Sequence, residues 1–457
     1  MKKFDALIIG SGQAGTPLAF RLAAEGMTVA MIEKGTVGGT CVNTGCTPTK
    51  AYVASARRMW DARHSEEFGV FLQGEPLADL KKIKARKDKI VAGSVHGISK
   101  GFEDEPKITL VKGEAAFVSD YVIRVKEEEY TAPKIFINAG ARALVPEEYQ
   151  EADFLTNESI LELTELPEHL LIIGGSYIGL EFGQLFRRFG SKVTIIERSD
   201  QIINREDADT SSAIREILED DGVQFLTGVQ NIAATGKTGK IKVTYEKDQK
   251  EHVVSGTHLL LAIGRLPNTD RLNLEATNIE KDKRNYITVN DYCETNVKGV
   301  FALGDCNGKG AFTHTSYNDF EIAASFLFDQ KKRKISDRIL TYGLFIDPPL
   351  GRVGMTKKEA LEKGLKVREG YLEMSKIGRA VEKGETKGFM RILVNGNDKI
   401  IGASILGVGG DEIVSGILNL MISEISYTAL RDTVVLHPTV SELIPTALGK
   451  LKEVGSK

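Results

Sequence analysis

Phe4-Asp5-Ala6-Leu7-Ile8-Ile9-Gly10-Ser11-Gly12-Gln13-Ala14-Gly15 opens the chain with an apolar, strand-like run that ends in Gly-x-Gly-x-x-Gly. A helical segment follows through Ala24, a second strand covers Thr28 to Ile32, and Glu33 closes it, 18 positions after Gly15. Each feature has a physical reason. The glycines permit a tight turn and close backbone approach to a pyrophosphate, the first N–H groups of the helix face its charge, and a carboxylate at the second strand end accepts from an adenosine ribose. The glycine pattern by itself is weak evidence. Strand, helix, strand and acid in this order specify a dinucleotide-binding unit.

The chain passes directly from this unit into Val37-Gly38-Gly39-Thr40-Cys41-Val42-Asn43-Thr44-Gly45-Cys46-Thr47-Pro48-Thr49-Lys50. Four residues separate Cys41 from Cys46, at the entry to a helix. Such a pair is too close to staple a large loop but well placed to open and close as a redox disulfide. An isolated pair of this spacing reads as two reduced core thiols. With a dinucleotide fingerprint immediately upstream, it reads as chemistry.

A second copy of the opening unit lies downstream. Leu170 to Ile173 is apolar, and Gly174-Gly175-Ser176-Tyr177-Ile178-Gly179 follows it. Gly174, Gly179, Gly190 and Glu197 each lie 164 positions after Gly10, Gly15, Gly26 and Glu33, so two mononucleotide units share one design and two dinucleotides are expected. Ser176 stands at the middle glycine position, where a side chain restricts approach of the pyrophosphate although its hydroxyl can donate to a phosphate. Glu197 favours NADH, because a carboxylate there accepts from a free 2′-hydroxyl and repels a 2′-phosphate. Arg198 and Arg205 nearby weigh the other way.

Length and charge narrow the class. A chain of 457 residues accommodates about three domains. With 60 basic and 63 acidic residues, and a net charge of -3, nothing points to nucleic acid or a charged membrane surface. Met1-Lys2-Lys3 runs straight into the first strand without a signal peptide, and no apolar run approaches the ~20 residues that span a bilayer, so a cytoplasmic protein is expected. Four cysteines, at 41, 46, 293 and 306, suit a reducing compartment, and Cys293 and Cys306 read as small core or loop residues. The basic run Lys81 to Lys89 reads as a solvated helix face, because apolar residues interrupt it.

Gly-Gly-Thr-Cys-x4-Cys-x-Pro-Thr-Lys resembles the active-site signature of the flavin-dependent pyridine nucleotide-disulfide oxidoreductases, which include dihydrolipoamide dehydrogenase, glutathione reductase and mercuric reductase. Further landmarks cover nearly the whole chain. Lys134 to Arg142, with Gly140, loosely resembles the crossover that ends the first flavin segment. Leu259 to Asn268, with Gly264, resembles the exit from the nucleotide domain, and Gly299 to Asp305 matches the second flavin motif.

The resemblance implies an α/β protein with two Rossmann-like domains, for FAD and NAD(P)H, plus a C-terminal α+β dimerisation domain. The divisions expected are 1–146 and 265–336 for FAD, 147–264 for NAD(P)H and 337–457 for the interface. Helices are expected over 411–425 and 441–452. The resemblance also distributes roles. Cys46 lies under the isoalloxazine ring, and Cys41 faces outward as the attacking thiolate. Lys50 and Glu181 sit near the reactive flavin nitrogen, Tyr177 covers the ring until nicotinamide displaces it, and Asp305 binds the ribityl chain. His437 and Glu442, in His-Pro-Thr-Val-Ser-Glu, form an acid–base pair that closes over the cysteines of a partner chain. No resident metal is implied.

Several acceptors are compatible with this set. The C-terminal cysteine pair of typical mercuric reductases is missing, and His437 replaces their tyrosine, yet Cys-Thr-Pro-Thr-Lys and Phe312-Thr313-His314-Thr315 resemble the stand-alone, mercuric-reductase-like branch. A small-molecule disulfide or metal-ion acceptor ranks first, dihydrolipoamide dehydrogenase second and glutathione reductase third. A flavin-bound redox-sensing or scaffold subunit is the reading from another class.

Overall fold

The computed structural model describes residues 1–330 and 333–455. The first sheet has five parallel strands in the spatial order Val300–Ala302, Lys134–Ile137, Ala6–Ile9, Val29–Glu33, Ile108–Lys112. Ala6–Ile9 and Val29–Glu33 are buried at every position, as parallel strands covered on both faces must be. The order is informative, since Val300–Ala302 completes a sheet begun nearly three hundred residues earlier. The helices Gly15–Ala24 and Thr313–Ala324 pack against each other beside it.

A second parallel sheet follows, in the order Gln224–Thr227, Lys192–Glu197, His169–Ile173, His258–Leu261. The chain enters this region after Ala141–Ala143 and leaves it through Arg265–Pro267, and these two crossings pair antiparallel. Gly140 and Gly264, both with positive φ, stand at the start of each crossing. The C-terminal sheet has six antiparallel strands, from Thr341–Leu344 and Leu350–Gly354 through Ile400–Leu406, Phe389–Asn395 and Val367–Glu373 to Lys452–Glu453. One apolar core joins the three regions: Tyr52 and Ala56 from the helix Cys46–Arg63, Leu180 and Phe186 from the helix Tyr177–Phe189, Leu344 and Phe389 from the C-terminal sheet, and Ile346 from the loop after its first strand.

Three local expectations change. The helix expected over 441–452 is a single turn, Ser441–Leu443, followed by Ile444–Leu448, and Lys452–Glu453 pairs with Arg368 and Glu369 instead. Pro445 lacks an N–H and fits only a helix start. The helix expected over 411–425 spans Gly410–Ile422. The basic run is not a uniformly solvated face. Lys87 is buried, its Nζ 2.9 Å from Glu162 and 2.6 Å from Asp88, and Arg86 donates to the carbonyl of Ala51, so this helix, Leu80–Asp104, docks on the cysteine helix. Cys293 and Cys306 are fully buried core residues, as expected. Among the described residues no helix is long and apolar enough to cross a membrane.

Candidate active site

The cysteine stretch is clamped onto the first fingerprint. A Cβ on Gly39 would come within 2.8 Å of the Gly12 Cα, and the Gly38 N–H donates to the Ser11 carbonyl at 3.1 Å, which explains the paired glycines before Cys41. Cys41 lies in the short helix Gly39–Asn43 and Cys46 is the first residue of Cys46–Arg63. Asn157 donates to the Thr44 carbonyl at 3.1 Å and steadies the turn between them.

The two thiols are unequal. The hydrogen bond donated by Cys41 pulls Cys46 down to about 6, helped by Thr313, whose Oγ1 is 3.1 Å from its sulfur, and by the charge of Lys50, while burial opposes the shift. Cys41, which donates that hydrogen bond and is partly buried, is held well above the ordinary thiol range. In the reduced pair the directions of the two shifts favour Cys46 as the resting thiolate, so Cys41 has to give up a proton before it can attack as expected. The helix N-terminus belongs to Cys46, and one proton shared between two sulfurs leaves the other as the thiol.

Lys50 Nζ is 2.6 Å from Glu181 Oε2, and the other oxygen of this buried carboxylate accepts from the Phe345 N–H at 2.9 Å. Residues 131 positions apart are thereby brought together one turn along the helix that begins at Cys46.

The two fingerprints repeat in detail. Glu33 accepts from the N–H of Ser11 at 2.9 Å and of Gly35 at 2.8 Å, and Glu197 accepts from Gly175 at 2.7 Å and Ser199 at 3.0 Å, each partner again 164 positions apart. A Cβ on Gly10 would lie 2.3 Å from the Asn138 carbonyl oxygen, and one on Gly174 would lie 2.4 Å from that of Ala262. Gly15 and Gly179 pack their helices onto the carbonyls of Gly10 and Gly174, where a Cβ would meet oxygen at 2.1 and 2.0 Å. These backbone approaches leave two cradles that only a small side chain leaves open.

Both cradles and the dithiol share one cavity of about 1890 Å3. That exceeds the roughly 300–1,000 Å3 of an ordinary small-molecule pocket and suits two dinucleotides. Gly10, Gly12, Glu33, Cys41, Cys46, Lys50, Gly140, Gly174, Ser176, Tyr177, Glu181, Glu197, Gly264 and Asp305 line it, whereas Gly15 and Gly179 stand behind. Burial raises Asp305, whose carboxylate lies 3.4 Å from Arg265. His437 is not on this cavity. Its Nδ1 is 2.8 Å from Glu442 Oε2, so the pair is formed, but the imidazole is 81% exposed on the outer surface.

The sequence pattern of the pyridine nucleotide-disulphide oxidoreductases matches residues 4–319, and that of their dimerisation domain matches 341–448. The chain belongs to this family. It is 34% identical to the probable pyridine nucleotide-disulfide oxidoreductase RclA of Escherichia coli over 97% of its length and 98% of that protein's. It is 33% identical to a mercuric reductase of Staphylococcus aureus over 96% of its length and 81% of that protein's. The solved Cu(II) complex of the HOCl-induced flavoprotein disulfide reductase RclA superposes with a TM-score of 0.88 at 32% identity, covering 98% of this chain and 99% of that one.

As a member of this family the protein is a flavoprotein disulfide reductase that uses FAD and NAD(P)H. The glycine cradles, with the Glu33 and Glu197 carboxylates and the half-buried Asp305 lining the same cavity, fit those groups. Sequence reasoning passed over three residues here. Thr313 was noted only as part of a motif, yet it touches Cys46. Asn138, read as a loose match, accepts from the Gly15 N–H at 3.0 Å and donates to the Leu303 carbonyl at 2.9 Å, tying the first fingerprint to the second flavin motif. Arg265, next to Gly264, faces Asp305.

Proposed function

We propose that the protein is an NADH-linked reductase that passes an electron pair through Cys41 and Cys46 to a small-molecule disulfide or a metal ion. The observation that carries this reading is the Cys46 thiol, held down to about 6 on the wall of the cavity that also contains both dinucleotide cradles. The proposed division is 1–146 and 265–336 around FAD, 147–264 around the nicotinamide nucleotide, and 337–457 for dimerisation.

Gly10, Gly12, Glu33, Gly140 and Asp305 would hold FAD, and Gly174, Ser176, Glu197 and Gly264 the nicotinamide nucleotide. Bound FAD supplies the route by which a hydride from NADH becomes the electron pair that opens a Cys41–Cys46 disulfide. Lys50, neutralised by Glu181, presents an ammonium beside this route and stabilises the Cys46 thiolate. Against a disulfide acceptor, Cys41 loses its proton to an imidazole and attacks one sulfur of the substrate, and the departing thiolate takes that proton. Cys46 then attacks the Cys41 sulfur, releasing the second thiolate and restoring the pair. A metal ion would instead meet both sulfurs directly. The Cu(II) complex formed by RclA and the mercuric reductase similarity favour including metal ions among the acceptors.

Cys41 needs a base because its proton is held tightly, and the base that resembles the family pattern, His437, faces outward within its own chain. We assign it to the site of a second copy in a homodimer. Val434 and Leu436, 98% and 77% exposed, precede it on an apolar segment suited to such an interface. Mixing Cys41→Ser and His437→Ala chains should restore about a quarter of wild-type disulfide reductase activity by random assortment. Mixtures that exchange subunits yet stay inactive would remove His437 from the site.

Dihydrolipoamide dehydrogenase activity is the second reading, favoured by the intact His437–Glu442 hydrogen bond. NADH oxidation measured with lipoamide, oxidised glutathione, mercuric ion, cupric ion and quinones separates the readings. Turnover with lipoamide far above all others selects the second. No turnover with any acceptor would favour a sensing or scaffold role.

A further inference from the structure

One wall of the cavity is aromatic and is anchored from behind by buried charge. Phe312 and Tyr342 stack with centroids 5.6 Å apart and planes 11° apart, and Tyr177 meets both edge-on at 87°, at 5.8 and 5.5 Å. The rings come from three parts of the fold: Tyr177 starts the helix Tyr177–Phe189, Phe312 precedes Thr313–Ala324, and Tyr342 lies on Thr341–Leu344. The Tyr342 hydroxyl donates to Oε1 of Glu206. Glu206, 3% exposed, has its other oxygen 3.6 Å from Nε of Arg352, 1% exposed, whose Nη1 donates to the Ala403 carbonyl and to Ser404, each at 3.1 Å.

A carboxylate and a guanidinium buried this deeply are costly to desolvate, and apolar residues of similar volume commonly hold a core as well. What the pair adds is direction. It fixes the Tyr342 ring through one hydroxyl, and the Tyr342 ring is half of the surface on which Tyr177 rests. Glu206 and Arg352 touch neither cysteine, nor do they line the cavity. We propose that Glu206 and Arg352, acting through Tyr342, are positioning residues that hold Tyr177 in its covering position and thereby set how readily a nicotinamide ring enters. This rests on the reading of Tyr177 as the covering ring.

A site open for only a fraction of the time binds its ligand more weakly by that fraction. Loosening the wall raises the open fraction and tightens apparent binding, by about threefold to tenfold for one edge-on aromatic contact.

The test titrates the oxidised, FAD-loaded protein with NAD+, which binds without reducing it. Tyr342→Phe is expected to lower the Kd of NAD+ by about threefold to tenfold and to lower KM for NADH in step, with no matching rise in kcat. Glu206→Gln, which keeps an acceptor oxygen, should bind NAD+ like the wild type. Phe312→Leu serves as a second loosening variant if Tyr342→Phe does not fold. Tyr177→Ala should tighten binding at least as much, and adding Tyr342→Phe to it should change nothing further. Additive effects, or an unchanged Kd in Tyr342→Phe and Phe312→Leu beside a lowered one in Tyr177→Ala, would overturn the proposal. An unchanged Kd in Tyr177→Ala itself would place the failure in the covering-ring reading, and the proposal would fall with it.

Discussion

The two dinucleotide units share their hydrogen-bond geometry and differ in how tightly they are sealed. In the first, Ser11 adds a hydroxyl bond to Glu33 at 2.8 Å, Glu33 is buried, and Asn138 reaches across to Gly15. In the second, Gly175 replaces Ser11, Ala262 replaces Asn138, and Glu197 is partly exposed. A sealed cradle suits a group that stays with the protein, and an open one suits a nucleotide that must leave after each turnover. The same contrast explains why a serine is tolerated at 176. At Gly12 a Cβ would lie 2.7 Å from the Asn138 side-chain oxygen, whereas Ala262 sends no such group toward Ser176.

Asn138→Leu tests the seal with the largest effect. It strands the Gly15 N–H and leaves the Leu303 carbonyl with only the weak Cys306 thiol donor at 3.4 Å, so at about 1–3 kcal/mol for the stranded group and about 1 kcal/mol for the lost hydrogen bond it should cost about 2–4 kcal/mol of stability. A thermal melt and the flavin-to-protein ratio of the purified protein would register it, and wild-type values for both would break the contrast. Gly12→Ser should cost about 1–3 kcal/mol of packing and empty much of the flavin cradle, visible as lost flavin absorbance, even though serine is the natural residue at the matching position of the second unit.

On the open side, Glu197 should favour NADH over NADPH in kcat/KM by about tenfold to a hundredfold, about 1–3 kcal/mol from one buried hydrogen bond and a charge clash. Equal efficiencies would mean that Arg198 or Arg205 receives the 2′-phosphate. The smallest effect belongs to Ser176→Gly, which should tighten nicotinamide nucleotide binding by about threefold or less, below about 0.7 kcal/mol. A loss of affinity would show instead that the hydroxyl binds phosphate.

Much of this contrast was legible before the structure, and the reason is local. Glycine spacing, the acid after the second strand and the Cys-x4-Cys pair are short-range patterns whose chemistry follows from residue type. Asn138 was not legible, because its partner Gly15 lies 123 residues away and an amide in a crossover segment carries no signal of its own. The Tyr342 to Glu206 hydrogen bond spans 136 residues and joins two regions that are brought together by the shared core and by ion pairs such as Arg188–Asp347 and Arg391–Asp209. The difference between the two thiols was hidden for another reason. Sequence places both cysteines near helix starts, but which sulfur keeps the proton depends on the hydrogen bond between them and on Thr313, 267 residues from Cys46.

The dithiol has its own pH signature. Because Cys46 lies below the ordinary thiol value, its thiolate is present above pH about 6 and is lost as pH falls through that value, so alkylation of the reduced protein at Cys46 should plateau above about 6 and drop about tenfold per unit below it. Cys41, shifted the other way, should react slowly throughout this range. The central claim is that reducing equivalents taken up at the open cradle arrive at these two sulfurs. Anaerobic addition of NADH to the oxidised, FAD-loaded protein, followed by alkylation and mass spectrometry of the unfolded chain, tests it directly. Cys41 and Cys46 should both change from bridged to alkylated, with Cys293 and Cys306 unchanged. Consumption of NADH with the Cys41–Cys46 bridge left intact would contradict it.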